Sequence, residues 1–185
     1  MVKPILFNTE MVCALLAGRK TVTRRVVKPQ PETNLLEWLQ QKNERKIPYD
    51  VGDILYVRET WTDRGDGSYM YKADYRENEK FYRGGKEVAV KWKPSLFMPK
   101  EAARIFLRVT NVSVTKLQDI TTNDMQKEGL TSMAVFAGDK EIARQEWALL
   151  WNSTIPGKDY NKYCFSANPW VWVIEFERTE KPNGI

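Results

Sequence analysis

The last regular stretch of the chain, Trp170 to Glu177, alternates strictly: Trp170, Trp172, Ile174 and Phe176 fall on one side, Val171, Val173, Glu175 and Glu177 on the other. A strand of this kind must pair, so the fold has to contain a sheet that takes up the end of the chain. Only Thr179 onward is expected to fray. Two further segments read as strands of that sheet. The turn Tyr49-Asp50-Val51-Gly52-Asp53 feeds Ile54-Leu55-Tyr56-Val57-Arg58-Glu59, and the β-branched run from Ala103 to Lys116 reads as one long strand, bent near Asn111. Residues 69 to 75 add an aromatic strand, with Gly65, Gly67, Gly84 and Gly85 marking the loops around it.

Helical periodicity is confined to three places. A helix from Thr9 to Ala17 is predicted by a Thr cap, by Met11, Ala14 and Leu15 on one face, and by Gly18 as the left-handed residue that stops it. A second runs from Ile120 to Glu128, with Thr121 and Asp124 in capping-box spacing and Gly129 at its end. The third runs from Lys140 to Trp151 behind an Asp139 cap, with Ala143, Trp147, Leu150 and Trp151 as a core-facing stripe. The strands are too closely spaced for repeated crossovers, which points to an α+β protein with a small, curled, mostly antiparallel sheet.

The 185 residues suit a single domain, 1–185, with 29–48 and 63–99 as long loops or insertions. No run approaches the roughly 18 apolar residues of a membrane span, and the start of the chain is too short in apolar residues for a signal peptide. A cytoplasmic protein without a membrane partner is expected. Cys13 and Cys164 make neither a disulfide framework nor a metal motif, and no metal or other cofactor is expected. Because the chain has no histidine, any catalysis falls to Lys, Glu, Asp, Thr, Tyr or Cys.

Those residue types concentrate in Ala17-Gly18-Arg19-Lys20-Thr21-Val22-Thr23-Arg24-Arg25, read as a loop directly behind the helix stop. Arg19, Lys20, Arg24, Arg25 and Lys28 come without an acid among them, in a chain of net charge +5. Either an anionic partner binds there or the segment is a solvated basic turn. Glu59 shares a strand face with Leu55 and Val57, so it lies at the rim of the core or points into a pocket. Glu128 sits in the last turn of its helix, where the dipole disfavours an acid; it has a functional role or is a solvated, paired glutamate. Trp61, Tyr69, Tyr71, Trp170 and Trp172 lie near strand ends and offer a stacking face for a base, Trp61 foremost, unless they are core.

Taken together, the glycine-lysine-threonine segment, Val51-Gly52-Asp53-Ile54-Leu55, the segment from Ile120 to Gly129 and the Trp-rich final strand resemble the ASCH domain of the PUA-like superfamily. Phage and prophage ASCH proteins share the segments Arg58-Glu59-Thr60-Trp61 and Asn168-Pro169-Trp170-Val171-Trp172. The resemblance implies a small β-barrel with helices at its openings and a cleft beside the lysine-bearing segment. It also implies a nucleoside or single-stranded RNA partner. Some small bacterial members are amidohydrolases that deacetylate N4-acetylcytidine with a lysine, a threonine three residues later and a glutamate on a later helix; by motif these are Lys20, Thr23 and Glu128. Arg19, Thr21, Arg24, Arg25, Glu59 and Trp61 would then bind the substrate. A lysine starts near pKa ~10.4, so Lys20 can serve as a base near neutral pH only if burial or the neighbouring arginines bring it down. Three other functions stay open: a non-catalytic RNA-binding module, a ribonuclease, and a phage accessory protein that binds a host protein through an exposed apolar patch.

Overall fold

The computed structural model describes residues 1–32, 35–40, 48–76 and 79–182. The strands are β1 (Val2–Leu6), β2 (Val22–Val26), β3 (Ile54–Arg58), β4 (Trp61–Asp63), β5 (Tyr69–Tyr71), β6 (Tyr82–Arg83), β7 (Lys86–Glu87), β8 (Phe106–Lys116) and β9 (Trp170–Thr179). The α-helices are α1 (Thr9–Leu16), α2 (Leu35–Gln40), α3 (Thr122–Lys127), α4 (Met133–Ala137), α5 (Lys140–Ser153) and α6 (Tyr160–Tyr163). A five-stranded sheet has the hydrogen-bonded order β1-β3-β8-β9-β2, so the protein is α+β as expected. Among the described residues no helix is long and apolar enough to cross a membrane.

The chain divides into two compact units, the first made of Met1–Gly18, Gly52–Arg108 and Glu177–Ile185. In it β1 lies parallel to β3, from Val2 opposite Ile54 to Leu6 opposite Arg58, and β3 pairs antiparallel with the start of β8. Sequence periodicity misses β1 because Pro4 interrupts it, and a proline is tolerated there because β1 is an outer strand of the order. The face of β3 carrying Leu55 and Val57 is fully buried. Helix α1 buries Val12, Ala14 and Leu15, but its cap is Asn8 and not Thr9: the Asn8 side chain accepts the Met11 amide at 2.8 Å. The 69–75 strand is shorter than expected. Lys72 to Asp74 turn away after β5, with the Asp74 amide donating to the Tyr71 carbonyl. Likewise β8 starts at Phe106 and not at Ala103, which is the C-cap of a 3-10 turn over Lys100–Ala102. Trp61, Met98, Ala102, Ala103 and Phe106 form a small core of this unit.

The second unit comprises Arg19–Val51 and Val109–Phe176. Here β2 pairs antiparallel with β9, from Val22 opposite Glu175 to Val26 opposite Val171. Helix α3 has the expected capping box between Thr121 and Asp124, and α5 the expected Asp139 cap. Ala143, Trp147 and Trp151 of α5 join Met125, Val135, Leu117, Ile120, Phe165 and Val171 in the main core. Both faces of β9 are buried from Val171 through Ile174, so the strand is covered on each side along this stretch. Of the segment 29–48, expected to be loop, residues 35–40 form α2; 33, 34 and 41–47 lie outside the described residues, as do 77 and 78 of the segment 63–99.

A buried lysine–glutamate centre

The basic segment is the loop read from the sequence only as far as Thr21. Gly18, at φ +71°, ends the turn after α1, and four residues later the chain enters strand β2 with Thr23, Arg24 and Arg25 on it. Val22, Val26 and Val27 around the arginines are the strand signal that the charge run obscures. Thr21 is stitched down by backbone bonds on both sides: its amide donates to the Lys127 carbonyl at 2.8 Å, and its carbonyl accepts from the Phe176 amide at 2.9 Å.

This path drives Lys20 inward. The residue is 2 % exposed, and its ammonium donates to Glu128 Oε2 at 2.7 Å, to the Glu128 carbonyl at 3.0 Å and to the Val22 carbonyl at 2.8 Å. Glu128 is the C-cap of α3, so one cation meets both the carboxylate and a carbonyl at the negative end of the helix. That arrangement resolves the dipole objection to an acid at this position. Arg24 supplies the second cation, reaching Glu128 Oε1 at 3.2 Å and Asp124 Oδ2 at 3.4 Å, one helical turn earlier. Its Nε is buried without a partner. The solvated basic turn is therefore excluded for Lys20 and Arg24, whereas Arg19 and Thr21 are exposed, with Arg19 Nη1 donating to the Gly129 carbonyl at 3.0 Å.

Burial is the strongest influence on Lys20 and lowers its pKa from the ordinary 10.5; the Glu128 carboxylate opposes this, and the charges of Arg25 and Arg24 add to the lowering. Thr23 is 1 % exposed and lies opposite Ile174 on β9. Its hydroxyl accepts from Arg25 Nη1 at 3.1 Å, and the same nitrogen donates to the Arg24 carbonyl at 3.1 Å. Strand alternation puts Thr23 and Arg25 on one face of β2 and Arg24 on the other. The structure thus brings Lys20, Arg24 and Glu128 into direct contact and couples Thr23 to Arg25.

Glu59 and Trp61 belong to the first unit and to another cluster. Glu59, 1 % exposed, is gripped by Arg104 through Nε at 2.9 Å and Nη2 at 3.1 Å; the outer edge of Arg104 also binds Asp74, and its guanidinium lies 4.0 Å over the Tyr71 ring. Burial raises the Glu59 pKa and Arg104 pulls it back. Trp61 is 6 % exposed, with the Tyr69 ring 5.5 Å away in a T-shaped contact and Lys93 Nζ 4.7 Å over its ring. A buried carboxylate one residue past β3 implies a cation partner, but Arg104 is 45 residues away and no local spacing identifies it. Among the described residues no group of three or more His, Cys, Asp and Glu side chains is placed to hold a metal ion.

No protein-family model matches the chain, and no curated protein matches it. Three solved structures are similar to it. One is an ASCH domain, the family the sequence resembles: the crystal structure from Lactobacillus crispatus has 15% identity, a TM-score of 0.40, and coverage of 96% of this chain and 79% of that one. Protein EF3133 of Enterococcus faecalis, of the family DUF984, is 14% identical at a TM-score of 0.45, covering 96% of this chain and 75% of its own. The hypothetical protein PH0355 is 14% identical at a TM-score of 0.40, covering 97% and 100%. What the centre does is a matter of its own chemistry.

Proposed function

We propose that the second unit binds a nucleoside or a base of single-stranded RNA at the Lys20–Thr23–Glu128 centre and hydrolyses an N-acyl amide on the base, as in N4-acetylcytidine. The observation that supports it most is the 2.7 Å contact between a buried lysine and a buried glutamate beside two arginines, where burial holds the lysine's pKa below its ordinary value. In a chain without histidine, this is a way to obtain a base that works below the ordinary lysine range.

Lys20 first passes a proton to Glu128 Oε2. The neutral amine then turns from the Val22 carbonyl to Thr23 and takes the hydroxyl proton as Oγ1 bonds to the acyl carbon; the Arg25 guanidinium, 3.1 Å from Oγ1, stands beside the oxyanion that forms. The carbon–nitrogen bond breaks, and the exocyclic amine leaves with the proton held by Lys20. Water next attacks the threonyl ester, giving up a proton to Lys20, and the carboxylic acid departs as Thr23 regains its hydrogen. Amide and water are consumed; amine and acid are released.

The test is turnover of N4-acetylcytidine by the wild type beside Lys20→Ala, Thr23→Ala and Glu128→Gln. Each variant is expected to lose about 10²- to 10⁴-fold in kcat. Absence of turnover in the wild type overturns the hydrolase and leaves the lysine–glutamate pair as a tie between β2 and α3.

A further inference from the structure

Strand β2 also leads from the hydrolytic centre to a cavity that the mechanism above does not use. Arg25 lies directly opposite Trp172 of β9, and directly opposite residues of an antiparallel pair share one face. On the side of Trp172 lies a cavity of about 350 Å³, walled by Trp172, Tyr49, Leu35 of α2 and Val112 and Val114 of β8, with Asp50 and Val51 at its edge. The Trp38 ring, one turn after Leu35 on α2, lies 6.2 Å from the Trp172 ring at a tilt of 44°. Arg25 thus shares a face with Trp172, one wall of the cavity, while its Nη1 donates to the Thr23 hydroxyl at 3.1 Å.

We infer that this cavity is the subsite for the planar base of the substrate, with Trp172 and Tyr49 as aromatic walls and Arg25 joining it to the Thr23 hydroxyl. The inference rests on the nucleoside reading above and deepens it. Two aromatic rings and aliphatic walls suit a flat heterocycle, and the volume is at the small end of ligand pockets, enough for one base with its sugar and too little for several stacked bases. A carboxylate at the edge, Asp50, accepts hydrogen bonds from an exocyclic amine or a ribose hydroxyl. Selectivity on this account is for a single base, presented either as a free nucleoside or by one flipped nucleotide of a strand.

Calorimetric titration tests it with cytidine as one probe and a short single-stranded oligocytidylate as the other. Val112→Trp fills the cavity from β8, and Tyr49→Ala removes one wall from a half-buried position; circular dichroism reports whether each is folded. Either folded variant is expected to weaken cytidine binding about tenfold or more. Tighter binding of the oligonucleotide, lost in the same variants, identifies the base as part of a strand. Unchanged affinity in both folded variants overturns the inference, as does a wild type that binds neither probe. Binding that depends on the cavity in a wild type without acetylcytidine turnover retains the subsite and removes only the hydrolysis. Turnover with a KM unmoved by Val112→Trp and Tyr49→Ala does the reverse.

Discussion

Lys20 Nζ lies 2.7 Å from Glu128 Oε2, with side chains 0% and 4% exposed, although 108 residues separate them. The contact binds the entry of β2 to the exit of α3. Because the same ammonium also holds the Glu128 carbonyl, it acts as helix cap and counter-ion at once.

Breaking this pair from one side leaves a buried charge short of a partner. Lys20→Met is expected to lose about 3–5 kcal/mol of stability, and Glu128→Gln a comparable amount. The double variant Lys20→Met/Glu128→Gln should lose less than the sum, because neither charge is then stranded. Denaturant unfolding of all four proteins measures the coupling; strictly additive losses would contradict it.

The lowered Lys20 pKa has a defined consequence in alkali. Below the lowered value both folded and unfolded chains hold the proton, and the contribution of Lys20 is constant. Between that value and the ordinary 10.5 the unfolded chain binds more protons, so this contribution to stability grows as the pH rises. Unfolding free energies across that window should show a more positive slope for the wild type than for Lys20→Met. Equal slopes would mean that Lys20 titrates normally.

Glu59 has the opposite sign. Its folded pKa is raised above the ordinary 4.5, so its contribution is fully present below 4.5 and is lost as the pH climbs through the raised value. Wild type and Glu59→Gln compared by urea unfolding from pH 4 upward, on the order of one step per half unit, should diverge in that window, with the wild type falling. Parallel curves would refute the shift.

Arg104 separates two kinds of ion pair. On its inner side is Glu59, 1% exposed; on its outer side is Asp74, 51% exposed. Arg104→Ala is expected to cost about 3–5 kcal/mol, since it strands a buried carboxylate, and Asp74→Ala no more than about 1 kcal/mol. Thermal and denaturant unfolding decide it, and equal effects would assign the anchor to the wrong acid.

Gly18 tests the approach to the centre. At φ +71° with nothing within 4 Å of where a Cβ would stand, the position has room for a side chain but not the backbone for one. Gly18→Ala should cost about 1–2 kcal/mol, and Gly18→Asn less, because asparagine tolerates the left-handed region. Similar losses for both would point to a contact and not to backbone strain.

Much of the fold is legible in local patterns. The end strand, the β3 and β8 strands, the α3 capping box, the Asp139 cap of α5 and the stop at Gly18 each follow from spacing within a dozen residues, because periodicity and capping are local physics. The family resemblance groups Lys20, Thr23 and Glu128; the structure puts Lys20 against Glu128 with Arg24 as the second cation and leaves the Thr23 hydroxyl on Arg25. What tertiary structure decided was which charges are buried and against what. The same arginine-rich run reads as an anion-binding loop or a solvated turn until its β9 partner is known, and Glu59 has no visible counter-ion until Arg104 arrives from 45 residues away. The cavity is drawn from four separated segments, around Leu35, Tyr49, Val112 and Trp172, so no window of sequence contains it. Secondary structure is set by neighbours along the chain, whereas desolvation and pairing of charge depend on neighbours in space, and only the folded chain supplies those.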